Sequence, residues 1–203
     1  MFPYSCDALL YHLPIATIGL IVLNVVLFVG HSTTPGGVAP DAGWLLLYGE
    51  GLHPAQWIMS RFAHASVEHL VGNMFFLWTF GLITEGKLGW WRFLSCYLVI
   101  AVGQAAIEQA ALGFVATDSV GSLGASAAIF GLMAMACVWA PMNLISIATI
   151  FYFRLFIFEV SVGIFAAFYI GLDLTWCLLL GSGAGSSILH LMGGAMGAVL
   201  GVV

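Results

Sequence analysis

Charge is scarce in this chain. Its 203 residues carry four basic and nine acidic side chains, 6% charged against 62% hydrophobic, whereas soluble domains hold about 25% charged residues. That shortage excludes an ordinary water-soluble domain, because so much apolar surface could not be hidden from water. Four Lys and Arg residues within a net charge of -5 leave no basic patch to neutralise a phosphate backbone, so no nucleic-acid partner is expected. Cysteine is sparse too: Cys6, Cys96, Cys137 and Cys177 lie far apart, without CxxC or Cys/His ligand spacing. This excludes a zinc or disulfide framework and makes them packing residues. HExxH is missing, since Val67-Glu68-His69 does not fit it, and no metal or cofactor is expected. No basic segment precedes the first apolar run, which therefore reads as a retained helix rather than a signal peptide. Internal repeats are absent, and residues 1–203 read as a single domain.

Continuous apolar runs are what the chain has in quantity. In a bilayer each spanning segment must satisfy its own backbone hydrogen bonds, and runs without apolar/polar alternation do so as helices. A span needs about 20 largely apolar residues. Six candidates follow: Pro14 to Gly30, His69 to Ile83, Trp91 to Phe114, Ser126 to about Ala140, Phe158 to Leu178 and Ile188 to Val203. Thr84-Glu85-Gly86-Lys87, Thr117-Asp118-Ser119, Pro141-Met142-Asn143 and the Gly/Ser-rich stretch 181–187 punctuate them. The piece from Leu144 to Phe156 reads as a partly apolar loop. Trp44-Leu-Leu-Leu-Tyr48, within a long connection rich in Pro, Gly and Trp, is expected to lie in the membrane interface. The fold class is thus all-α, a polytopic bundle of six transmembrane helices. Placing the N-terminus in the cytoplasm puts Lys87, Arg92 and Arg154 inside and only Arg61 outside, in line with the positive-inside bias.

Three motifs carry polar groups into these spans, where such groups are expensive and by default functional. In Gly121-Ser-Leu-Gly-Ala-Ser126, a glycine-rich loop delivers a serine to a helix start. There the hydroxyl sits beside unpaired backbone N–H groups and the positive end of the helix dipole; the plain alternative is that Ser126 is only an N-cap. His190 stands near the start of the last helix, and a neutral imidazole is the usual base for a serine nucleophile. Glycines at 193, 197 and 201 follow it at every fourth position, a stripe that lets another helix approach closely. His69 and Asn73 are four residues apart and so share one helical face, where two donors can point at one spot. The plain alternatives are a hydrogen-bonded structural His190, a helix-end His69 and an Asn73 that bonds a neighbouring helix. Alternating helices all begin on the outer side, so Ser126, His190 and His69 fall at one depth, and that coincidence favours chemistry.

Together, HxxxN on the second helix, GxSx on the fourth and HxxGxxxG on the sixth make the chain resemble the rhomboid intramembrane proteases over essentially its whole length. The resemblance implies an intramembrane serine endopeptidase that cleaves transmembrane segments of other membrane proteins. Ser126 would be the nucleophile and His190 its base, a dyad with no acidic third member, with His69 and Asn73 as oxyanion-hole residues. It also implies a structural role for Glu85 within Gly81-xxx-Glu85-xxx-Gly89, a bracing role for His64, and a ring of Phe130 near His190. Substrate would enter from the lipid between the second and fifth helices. Three departures stand out: Ala127 where the family usually has Gly, Leu189 where it commonly has Ala, and Ala55-Gln56 at the expected place of a Trp-Arg pair, with Trp57 and Arg61 nearby.

Partners are therefore expected to be transmembrane protein substrates and the lipid bilayer, with the bacterial plasma membrane as the location. Two other classes compete. An inactive rhomboid-like protein would bind transmembrane clients without cutting them. A small transporter would use Glu108, Gln104, Gln109 and Asp173, for which structural hydrogen-bonding roles are preferred.

Overall fold

The computed structural model describes residues 2–32, 42–115, 119–151, 154–180 and 185–202. The breaks read at 117–118 and 181–184 lie outside them. The chain is mostly helical: α1 (Ile15–Ser32), a short α2 (Pro54–Met59), α3 (Val67–Leu88), α4 (Trp90–Leu112), α5 (Ser126–Trp139), α6 (Val162–Leu180) and α7 (Gly185–Val202). By length and composition, Trp90–Leu112, Val162–Leu179 and Gly185–Val202 can cross a membrane, while Ile15–Gly30 and Ser126–Trp139 are shorter apolar helices. With these helices the protein is an integral membrane protein. α3 is longer, but it carries Glu68, Glu85 and Lys87.

Strands depart from the expected all-α picture. β1 (Phe2–Cys6), β4 (Leu144–Phe151) and β5 (Arg154–Ser161) form an antiparallel sheet in the order β1-β4-β5. β4 and β5 pair from Leu144↔Ser161 to Phe151↔Arg154, so the predicted loop is a hairpin and α6 starts at Val162 rather than Phe158. The physical reason lies in the sequence at 144–161, which is rich in β-branched and aromatic residues. The N-terminal strand supplies the pairing edge. A second, two-residue ladder joins β2 (Leu46–Leu47) to β3 (Gly121–Ser122). Leu46 is fully buried there, so the 44–48 segment packs on the protein.

α5 sits at the centre, with every residue from Ala127 to Ala136 buried. The glycine stripe of α7 packs on it directly. A Cβ built on Gly193 would fall 1.9 Å from the Ala127 carbonyl oxygen, and one on Gly197 would fall 2.0 Å from that of Gly131. The α5 backbone at Ala127 and Gly131 thus lies directly against α7 because the residues opposite have no side chains.

Glu85 answers the question its burial raises. Fully buried in α3, its carboxylate accepts from the backbone N–H of Ala16 (2.8 Å) and Thr17 (2.7 Å) and from the Thr17 hydroxyl (2.7 Å). It therefore caps the first turn of α1, whose N–H groups have no partner within the helix. α3 runs on through Thr84–Lys87 because the charge there is used in this way. Glu85→Ala is expected to cost about 3 kcal/mol, since bonds to a charged group are strong and the N–H groups are left stranded. The readout is the thermal unfolding midpoint in mild detergent, and an unchanged midpoint would refute the cap.

Candidate active site

Each motif is positioned by a local device. Ser66 caps α3, its side chain accepting from the backbone N–H of His69 at 3.2 Å. This starts the helix two residues before the sequence reading and sets His69 in its first turn. At the head of α5 the cap position belongs to Ala125, with no side-chain cap bond, so Ser126 is the first helical residue and not the N-cap. Gly124 before it has φ +113°, a conformation that glycine tolerates and other residues rarely adopt. A Cβ there would also meet the His69 ring, 2.9 Å from Cε1. The loop before the serine therefore runs directly against the imidazole of His69.

That loop is held from behind by a buried network. Glu108 accepts from the hydroxyls of Tyr48 and Ser122 and, at 2.8 Å, from the Gln104 amide. Arg61 donates to Gln104 (2.8 Å) and Ser122 (3.1 Å) and lies 3.7 Å from Glu108. Burial pushes the Tyr48 hydroxyl well above its ordinary range and Glu108 adds to it, so Tyr48 stays a donor. Trp57 donates to Gln109 at 2.6 Å. Trp57 and Arg61 thus anchor the connection between α1 and α3 to α4 although no adjacent Trp-Arg pair exists. Glu108, Gln104 and Gln109 have the structural bonding roles expected of them.

One cavity of about 290 Å³ gathers the motifs. Ser126, His190, His69 and Asn73 all line it, together with Glu68, Phe130, Tyr169 and Asp173. Of the Gly/Ser-rich stretch, 185–187 form the first turn of α7 and do not line this cavity, and 181–184 lie outside the described residues. Asn73 is buried, and its side-chain amide nitrogen has no hydrogen-bond partner among the described residues. His190 stacks on Phe130, centroids 4.2 Å apart and planes 11° from parallel, as expected for that pair. Its Nδ1 lies 3.0 Å from Oδ2 of Asp173. The sequence suggests a hydrogen-bonding role for Asp173 but not this partner. His64, in the turn before α3, sets its ring edge-on to His69 at 5.2 Å. Burial, with a smaller push from His69, lowers its pKa to about 4, so it is neutral at pH 7 and stands behind His69. Among the described residues, no group of three or more His, Cys, Asp or Glu is placed to hold a metal ion.

Chemically, the cavity sets a partly exposed hydroxyl at a helix start, two imidazoles and an unused amide donor around one space. The family model for the rhomboid domain matches residues 53–203, a stretch that contains all four side chains. The chain belongs to the rhomboid family. Among curated proteins, it is 36% identical over 85 residues to the human mitochondrial presenilin-associated rhomboid-like protein, covering 41% of this chain and 22% of that one. It is 37% identical over 87 residues to the zebrafish (Danio rerio) mitochondrial presenilin-associated rhomboid-like protein A, with shares of 41% and 22%. To the chloroplastic rhomboid-like protein 11 of Arabidopsis thaliana it is 36% identical over 80 residues, 39% of this chain and 27% of the relative. The alignments thus span between a fifth and about a quarter of these rhomboid relatives. Their names place them in mitochondria and chloroplasts and lend no support to the bacterial membrane expected from sequence.

Proposed function

We propose that this rhomboid is an intramembrane serine endopeptidase acting on transmembrane segments of other proteins. The observation that carries the reading is the single cavity shared by Ser126, His190, His69 and Asn73, which the sequence scatters over three helices. Ser126 attacks the scissile carbonyl, and His190 takes its proton and returns it to the leaving amine. The oxyanion forms among the unpartnered amide of Asn73, the His69 ring and the N–H groups at the head of α5, donors set in advance where charge develops. The six helices α1 and α3–α7 span the bilayer, with the N-terminus in the cytoplasm. Substrate enters sideways between α3 and α6. A helix-breaking segment is favoured, because a helical peptide bond is shielded by its own hydrogen bonds.

The test is labelling of the detergent-purified chain with a fluorophosphonate, which reports an activated serine without any knowledge of the substrate. The wild-type chain is expected to label, and Ser126→Ala to lose the label completely. A chain that binds transmembrane clients but never labels would be an inactive relative, and the proteolytic reading would be wrong.

A further inference from the structure

An imidazole can act as base through one nitrogen only if the other is committed. In this chain the commitment is visible. Nδ1 of His190 on α7 lies 3.0 Å from the Asp173 carboxylate on α6, with both side chains largely buried at 19% and 12% exposure. A carboxylate at this distance is suited to accept from the Nδ1–H tautomer, the one that leaves the lone pair on Nε2. Phe130, stacked flat on the ring, fixes its plane, and Asp173 fixes its rotation within that plane. Asp173 also lines the cavity with Ser126.

We propose that Asp173 is a positioning residue that completes a Ser126–His190–Asp173 set. The proposal rests on the proteolytic reading and deepens it, because the sequence implied a two-membered arrangement. As the Ser126 oxygen bonds to the scissile carbon, its proton passes to Nε2. The imidazolium keeps its Nδ1–H on Asp173, which stays ionised and balances the new positive charge. When the C–N bond breaks, the Nε2 proton goes to the leaving amine, and the acyl group on Ser126 is later transferred to water by the same exchange. Without the carboxylate the ring is free to place its proton on Nε2, where it cannot act as base.

Asp173→Asn keeps size and removes only the charge. It is expected to lower kcat for a transmembrane test substrate about a hundredfold, at the lower end of what a general base contributes. KM should stay within about threefold and the fluorophosphonate labelling rate should fall in parallel. In ¹⁵N NMR of the detergent-solubilised chain, neutral His190 is expected as the Nδ1–H tautomer in the wild type and shifted toward Nε2–H in the variant, a change that loosened packing would not produce. Wild-type kcat and labelling rate in Asp173→Asn, or an Nε2–H tautomer in the wild type, would overturn the role of Asp173 and leave Ser126 as nucleophile. A wild-type chain that neither labels nor cuts would overturn the parent reading instead.

Discussion

Ser126→Ala is expected to reduce cleavage of a transmembrane test substrate in detergent by about 10⁴-fold or more, to the level set by the remaining oxyanion donors and binding. The unfolding midpoint should hardly move. Ala is the best helix former, residue 126 is the first of α5, and the cap position before it is Ala125. The two measurements belong together, because a loss of cleavage with a lower midpoint would report misfolding. Cleavage that survives in a well-folded Ser126→Ala variant means another nucleophile. Ala127 beside the serine is buried, with Gly193 packed on its backbone.

The second large effect is on assembly. Gly197→Ala adds one methyl at a point 2.0 Å from the carbonyl oxygen of Gly131 and 2.5 Å from its Cα. Backbone cannot rotate away as a side chain can, so α5 and α7 must separate or shift. The expected cost is about 3 kcal/mol, the upper end for overpacking, read as a fall in the thermal midpoint and in fluorophosphonate labelling together. Gly194→Ala supplies the control: there the nearest atom, the Phe130 carbonyl oxygen, is 4.0 Å away, and the helix gains propensity. Equal losses at both positions would mean that general helix stability, rather than the α5–α7 crossing, is being measured.

Most of the helical framework was legible because an apolar run in a low-charge chain has few other places to go. The four-residue glycine spacing on α7 was legible for a related reason: only close approach explains a repeated absence of side chains on one face. The hairpin at 144–161 was not. Its run of apolar residues fits a loop, a helix or a strand, and what decides is a partner at residues 2–6, some 140 positions away, which no local pattern announces. Asp173 was seen but left unpaired for a similar reason. Its depth follows from counting along α6, whereas its contact with His190 depends on the rotation and tilt of two helices about each other. The Glu85 cap shows the opposite case, for the polar residues at 84–87 look like a break, whereas α3 runs on to Leu88 and Glu85 among them supports another helix.

The hydrogen bond between Asp173 and His190 has one more consequence, because its two ends belong to different helices. It works as a latch between α6 and α7. If a client segment arrives by pushing α6 outward, the carboxylate leaves with it and the imidazole goes slack during admission. Under the proteolytic reading, entry and cutting would then follow one another in time, since the ring is held in line only while α6 and α7 stay joined by this bond.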